Sequence, residues 1–133
     1  MAAGYTQSCG IQQGGVLSCW GAGESAPLVV AGAKPWRAAD ARGYVTCALQ
    51  TDNKLYCWGL NSHGQLGTGD AVYTTSPVSS IAASTFNDVS VEGEHVCGVT
   101  TLGGVRCWGE NQKGALGRSE GLLPMPVFGP TLN

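Results

Sequence analysis

Six cysteines are the residues of this sequence whose type and spacing most clearly suggest a chemistry. They form three pairs with nine residues between the two members, and Trp-Gly follows each second cysteine; the pairs are Cys9 with Cys19, Cys47 with Cys57, and Cys97 with Cys107. Zinc knuckles and thiol oxidoreductases use cysteines separated by two residues, a spacing that is absent here. The pattern therefore predicts three disulfides, with buried reduced thiols as the alternative.

A β-hairpin would bring the two members of each pair together. If the chain turns at residues 101–103 and Val99 pairs with Val105, Cys97 lies directly opposite Cys107. The same register applies to the other two pairs. Directly opposed side chains have Cβ atoms about 4.5–5.5 Å apart, which is close to the distance a disulfide needs. Three such bonds predict an oxidising compartment and hence an extracellular or secreted location.

Other groups that could do chemistry are sparse. Glu92 and Glu94 would share one face of a strand while His95 points the other way, which disfavours a metal site. The glycine-rich residues 64–69 lack the Lys and the following helix of a phosphate loop, so their glycines predict turns. His63 and His95 are the only histidines, and neither lies in a recognisable nucleophile motif. The sequence therefore predicts no enzyme, no metal and no cofactor.

Composition narrows the class of protein. Charged residues make up 12% of the 133 residues, about half of the usual ~25% share, and the net charge is −2. This inventory predicts no nucleic-acid partner. The 21 scattered glycines interrupt any helical periodicity. No segment reaches the roughly 18 apolar residues of a membrane span, and residues 1–4 do not resemble a signal peptide, so we expect any targeting segment to lie outside this chain.

An internal repeat organises the elements that would position the cysteines. Cys-Trp-Gly occurs three times, and residues 61–67 (Asn-Ser-His-Gly-Gln-Leu-Gly) align with residues 111–117 (Asn-Gln-Lys-Gly-Ala-Leu-Gly). Trp36 aligns with Phe86 in the same register. Units of roughly 40–50 residues with about four short strands are typical of β-propeller blades.

The repeat predicts an all-β fold of about three four-stranded antiparallel units. The predicted units are an incomplete first blade at residues 1–35, a second blade at 36–85 and a third at 86–133. The first unit is expected to lack a strand equivalent to residues 36–40. The predicted core positions of the repeat are Trp20, Trp58, Trp108, Leu66, Leu116, Gly43 and Gly93.

The second unit resembles the repeat of the regulator of chromosome condensation family in its segments at residues 47–50, 55–61 and 64–67. The paired cysteines are similar to those of secreted bacterial members, the β-lactamase-inhibitor protein II superfamily and plant crinkly-type receptor ectodomains. The resemblance implies a seven-bladed propeller, of which this chain would form a part. It also implies a structural hydrogen bond for His95. The first unit departs from the pattern, because residues 21–25 lack the Asn-x-x-Gly-x-Leu-Gly loop.

The expected function is a non-catalytic extracellular recognition or assembly module that binds another protein through rim loops, such as residues 60–73, or through blade edges. The alternatives are a regulator of an enzyme or GTPase and a carbohydrate-binding propeller. Open faces at Trp20 and Val127 would be covered by a longer chain, a homo-oligomer or another partner, and a glycan is a further candidate ligand. The candidate partner-binding residues, with the aromatic ones expected to be exposed, are Trp36, Tyr44, His63 and Tyr73.

Overall fold

A computed structural model describes residues 1–80, 84–117 and 125–126, the last two by their backbone alone. Within these ranges the chain forms β-strands and no helix. The strands group into three four-stranded antiparallel sheets, each with its strands in chain order. The expected all-β fold of three four-stranded units is therefore confirmed. Val127 and the rest of the predicted third unit beyond residue 126 lie outside the described residues.

The three sheets have the following strands. The first sheet contains β1 (Ala2–Ala3), β2 (Gln7–Gln12), β3 (Val16–Gly21) and β4 (Glu24–Val29). The second sheet contains β5 (Trp36–Arg42), β6 (Val45–Gln50), β7 (Leu55–Gly59) and β8 (Thr74–Ser79). The third sheet contains β9 (Phe86–Val91), β10 (His95–Thr100), β11 (Val105–Gly109) and β12 (Met125–Pro126).

The first sheet is more complete than the sequence predicts. Its two-residue strand β1 pairs with β2, Ala2 opposite Cys9, and occupies the place that β5 and β9 have in the other sheets. The expectation that this unit lacks such a strand is therefore wrong. Two residues are too few to show the alternating pattern by which strands are found in a sequence.

The hairpin register is as predicted. Val99 pairs with Val105, and the cysteines of each predicted pair lie directly opposite one another. All three pairs are disulfide-bonded, with Cα atoms 4.1 Å apart in every case. The prediction of three intra-hairpin disulfides is confirmed.

The glycine of each Cys-Trp-Gly triplet is required by a close backbone approach. Gly59 has a φ of 111° and Gly109 a φ of 109°, a region that side chains other than glycine rarely adopt. A Cβ atom at Gly59 would collide with the carbonyl oxygen of Tyr44, and one at Gly109 with that of Glu94. The third member of the triplet thus lets the β7 and β11 strands end against the preceding turn.

The sheets pack side by side through their first strands. Strand β5 contacts β1 and β2 on one side and β9 on the other. The backbone N–H of Val91 in the third sheet donates to the Asp40 carboxylate in the second sheet (2.7 Å). One core cluster lies between the second and third sheets and includes Leu66, Phe86 and Trp108. The other lies between the first and second sheets and includes Leu17, Trp36 and Trp58.

Candidate functional site

The junction between the second and third sheets is filled by the loop that follows β7. The loop spans residues 60–73, and the buried Asn61 holds it together. The Asn61 amide nitrogen donates to the Asp70 carboxylate (3.0 Å) and to the carbonyl of Val72 (3.1 Å), and its oxygen accepts from the N–H of Leu66 (3.0 Å). This one side chain therefore fixes both ends of the turn.

The turn inserts a leucine and a carbonyl into the junction. Leu66 is completely buried in the cluster that contains Phe86 and Trp108. The carbonyl of Gln65 accepts a hydrogen bond from the indole N–H of Trp108 (2.9 Å). The outer part of this junction is thus closed by an apolar side chain and a backbone acceptor.

The junction between the first and second sheets has no corresponding loop. Only residues 22 and 23 connect β3 to β4, whereas residues 60–73 connect β7 to β8. A cleft of about 890 Å³ opens between the outer strands of these two sheets. We call it the inter-sheet cleft. Its aromatic lining includes Trp36, Tyr44, Tyr56, Trp58 and Tyr73.

The lining of the inter-sheet cleft is mostly apolar and nearly uncharged. Trp36 lies against Tyr56, edge-on at 5.6 Å between ring centroids, and against Trp58 at 6.5 Å. Among the described residues that line the cleft, Glu24 is the only one with a charged side chain. A neutral or basic ligand with an apolar group therefore fits this surface better than an anion does.

Two polar groups of the inter-sheet cleft lack partners among the described residues. Gln50 is 1% exposed, and its Oε1 atom has no hydrogen bond. The indole N–H of Trp58 donates to none of the described residues and, unlike Gln50 Oε1, is accessible to solvent, whereas the equivalent N–H of Trp108 is paired with Gln65. A buried acceptor without a donor is costly, so Gln50 is suited to receive an N–H or O–H group from a ligand.

Three of the four candidate partner-binding residues line this one cleft. Tyr44 is 53% and Tyr73 62% exposed, so both side chains are accessible at its rim. Trp36 is only 4% exposed, and the expectation that it is exposed is wrong. Its ring packs against Tyr56 and Trp58, and its N–H donates to the carbonyl of Val30 (3.2 Å), which holds it in the floor of the cleft.

The fourth candidate, His63, lies away from the cleft. It is half-buried in the loop at 60–73, with Nδ1 3.2 Å from the Ser62 hydroxyl oxygen. Its backbone N–H donates to Oε1 of Gln65 (2.8 Å). The structure therefore does not bring His63 together with the aromatic candidates.

The predicted core positions fall into three groups. Trp58, Trp108, Leu66 and Leu116 are buried, and Trp20 is half-buried. Leu116 repeats the geometry of Leu66, because its N–H donates to the side chain of Asn111 (3.0 Å). The third group, Gly43 and Gly93, occupies turns before β6 and β10 with φ angles of 60° and 75°.

The acidic segment before β10 is a turn. Residues 92–94 lie between β9 and β10, so the expectation that Glu92 and Glu94 share one face of a strand is wrong. The backbone N–H of Glu92 donates to the carbonyl of His95 (2.9 Å). No group of three or more His, Cys, Asp or Glu side chains able to hold a metal ion occurs within residues 1–80 and 84–117.

Sequence reasoning missed Gln50 and the contact of Gln7 with Thr46. Gln50 ends the fully buried strand β6, and the amide of Gln7 donates to the Thr46 hydroxyl across the first junction. The signal for Gln50 was a polar residue at the end of an apolar run. That signal does not reveal a missing hydrogen-bond partner, which depends on the neighbouring sheet.

No helix among the described residues is long and apolar enough to span a membrane.

Comparison with known proteins agrees with this geometry. Residues 43–65 match the model of the regulator of chromosome condensation (RCC1) repeat, which covers β6, β7 and the start of the Asn61 loop. No curated protein sequence matches the chain.

Solved structures of similar fold include a yeast protein, a human protein and a plant receptor ectodomain. Prp20p from Saccharomyces cerevisiae matches with a TM-score of 0.84 at 18% identity, over 97% of this chain and 38% of its own. Human WBSCR16 matches with a TM-score of 0.80 at 19% identity, over 94% of this chain and 38% of its own. The ectodomain of the Physcomitrella patens receptor kinase CR4 matches with a TM-score of 0.56 at 26% identity, over 81% of this chain and 29% of its own.

The three sheets thus define the chain as blades of a β-propeller. Residues 43–65 match the regulator of chromosome condensation (RCC1) repeat, as the resemblance implied, and the chain as a whole is similar in fold to Prp20p. The chain spans less than two fifths of each similar structure described above.

Proposed function

We propose that this chain is a non-catalytic recognition module of an extracellular or secreted protein, and that it binds another protein at the inter-sheet cleft. The observation that carries the proposal is the cleft itself, a space of about 890 Å³ with an aromatic floor and accessible tyrosines at its rim. Aromatic residues are enriched at the centres of protein interfaces, where they bury large areas at a small cost in conformational entropy.

The proposed location is supported by the three disulfides. Such bonds persist in oxidising compartments and are rare where glutathione keeps thiols reduced. The similarity to a plant receptor ectodomain, at 26% identity, agrees with this location.

A protein partner is supported by the repeat type. The structure of Prp20p is described together with its binding to Gsp1p and histones, so a propeller with this fold binds proteins. Regulation of an enzyme or GTPase, an alternative raised by the sequence, would be one form of such binding. The low charge of this chain favours contacts through apolar and neutral groups.

The proposal is tested by placing a photo-crosslinking amino acid at Tyr73 and, as a matched control, at Leu102. Both side chains are exposed, but Leu102 lies in the β10–β11 turn and does not line the cleft. The two variants are exposed to the extracellular fraction of the producing cells. We expect a discrete protein adduct at Tyr73 only, and direct binding of the purified adduct protein to the unmodified chain. Equal labelling at both positions would contradict the proposal.

A carbohydrate ligand is the second candidate function. The rim tyrosines Tyr44 and Tyr73 have exposed rings that could lie against sugar faces, and the amide of Gln50 could bond to a hydroxyl. A glycan array distinguishes the two functions. Binding that is lost in Tyr73→Ala and kept in Leu102→Ala would favour a sugar over a protein.

A further inference from the structure

The junction between the second and third sheets shows which chemical groups fill the space between two neighbouring sheets. Between the second and third sheets, Leu66 packs with Phe86 and Trp108 in one buried cluster. Gln65, next to Leu66, supplies the carbonyl that accepts from the Trp108 indole at 2.9 Å. A leucine and the backbone carbonyl before it therefore fill the junction, where the side-chain nitrogen of Gln65 is left without a partner among the described residues.

The inter-sheet cleft presents the same kind of surface without these groups. In the repeat alignment, Trp36 corresponds to Phe86 and Trp58 corresponds to Trp108. Trp36 and Trp58 belong to the core cluster of the first junction and line the cleft. The short connection at residues 22 and 23 supplies no leucine and no carbonyl to the Trp58 indole, whose N–H has no partner among the described residues.

The two polar atoms of the inter-sheet cleft without partners in the described part of the chain are one donor and one acceptor, the roles that a peptide group complements. The indole N–H of Trp58 is free to donate to an acceptor, and Oε1 of the buried Gln50 lacks a donor among the residues that the structure describes. A peptide backbone offers a carbonyl and an N–H a few ångströms apart, and an apolar side chain beside them would lie on the aromatic floor. A sugar also offers donors and acceptors, but it lacks the apolar side chain that the aromatic floor would bury.

The charge of the cleft lining further restricts the kind of segment that can bind there. Glu24 is the only charged side chain among the described lining residues, so an acidic segment would meet repulsion and a basic side chain would meet an opposite charge. From this match we propose that the inter-sheet cleft binds a turn of a partner protein that carries a buried leucine and has neutral or basic charge. This proposal rests on the proposed function and names the kind of partner segment that the cleft recognises.

The chain itself provides a suitable probe. Residues 111–117, Asn-Gln-Lys-Gly-Ala-Leu-Gly, contain the turn sequence, the leucine and one basic residue. We would measure binding of a backbone-cyclised peptide of this sequence to the full chain by calorimetry. Replacing the leucine of the peptide by alanine is expected to weaken binding about tenfold or more, because the lost side chain would be buried. Replacing its lysine by glutamate is also expected to weaken binding, because Glu24 lies at the cleft.

Two variants of the chain form a matched pair. Trp58→Phe keeps the ring in the cleft and removes the N–H, so we expect peptide binding to weaken about two- to tenfold. Trp108→Phe makes the same change in the filled junction, where the N–H already bonds to Gln65, and should leave peptide binding unchanged. Circular dichroism and urea unfolding would show that both variants are folded.

A loop graft provides a test that does not depend on the strength of one hydrogen bond. Residues 22 and 23 are replaced by residues 60–73, so that the cleft receives a copy of the turn that fills the other junction. The graft is expected to abolish peptide binding. A second graft with alanine in place of the leucine that corresponds to Leu66 should retain part of it.

The outcomes separate this proposal from the broader one. If the Tyr73 crosslinker captures a protein whose binding is unaffected by the graft and by Trp58→Phe, protein recognition stands and the leucine-turn proposal is wrong. Absence of peptide binding at millimolar concentration would also overturn it, as would equal binding of the leucine and alanine peptides. A glycan that binds in a Trp58-dependent manner while the peptide does not would replace the proposed ligand.

Discussion

Leu66 shows how one buried side chain can fill the junction between two sheets. It is completely buried among Phe86 and Trp108, and its N–H is held by Asn61. We expect Leu66→Ala to lower the free energy of unfolding by about 2–5 kcal/mol, because the substitution removes buried apolar surface and leaves a cavity. Urea unfolding followed by tryptophan fluorescence measures this change.

Leu102 provides the control for Leu66. The same substitution there removes a side chain that is 97% exposed, so Leu102→Ala should change the unfolding free energy by less than about 0.5 kcal/mol. A similar loss in both variants would contradict the assigned role of Leu66 in closing the junction.

Asp70 makes the Asn61 loop sensitive to acid. The hydroxyl of Thr68 lowers the pKa of the Asp70 carboxyl below its ordinary value of 3.8, with smaller contributions from the N–H of Val72 and the amide of Asn61. A lowered pKa stabilises the folded state fully above 3.8, and this contribution is lost as the pH falls through the folded-state pKa. We therefore expect the Asp70 carboxyl to titrate in NMR spectra with a midpoint below 3.8.

Thr68→Val tests the cause of the Asp70 shift. Because the variant cannot donate a side-chain hydrogen bond, the Asp70 midpoint should move back toward 3.8. Thr51→Val, an equivalent change at an exposed threonine outside the loop, should leave the midpoint where it is. A midpoint that stays constant in both variants would show that the hydroxyl is not the main cause.

At the scale of elements, the three hairpins differ in how well they protect their disulfides. Cys47 and Cys57 are both fully buried in the second sheet, between its two neighbours, whereas Cys19 and Cys97 are half-buried. Thiol–disulfide exchange requires access to a sulfur atom. We expect the bond of Cys47 with Cys57 to be the last one reduced when the folded chain is treated with a mild thiol.

Alkylation and mass spectrometry at successive times would give the order of reduction. A protein unfolded in urea serves as the control, because all three bonds should then be reduced at similar rates. Reduction of the second-sheet disulfide first in the folded chain would contradict the burial argument.

The hairpins could be predicted because their evidence is local. Two cysteines at one fixed separation set the turn length and the register, so Val99 could be paired with Val105 from the sequence alone. The burial of Trp36 and the cleft beside it could not be predicted in this way. Both depend on the adjacent sheet and on the absence of a loop from a different unit. The spacing of residues within 36–59 therefore does not indicate either feature.

At the scale of the whole molecule, the junctions between sheets carry most of the apolar core. Each cluster is built from two sheets, so a single four-stranded unit would leave one or both of its apolar faces uncovered. Strand β6, which is buried along its whole length, shows the effect most clearly, since its sheet is covered on both sides. The stability of each sheet therefore depends on its neighbours.

The same dependence applies to the isolated chain. Closed propellers typically contain about four to eight blades, whereas the described residues of this chain form three sheets. The outer strand β4 is exposed along its whole length and presents Leu28 and Val29, and the chain has only 12% charged residues to discourage pairing. We expect the isolated 133-residue chain to associate into a defined oligomer at micromolar concentration. Sedimentation equilibrium measures the state, and Leu28→Lys combined with Val29→Lys should weaken association through this edge. A cooperatively folding monomer of the unmodified chain would contradict the prediction.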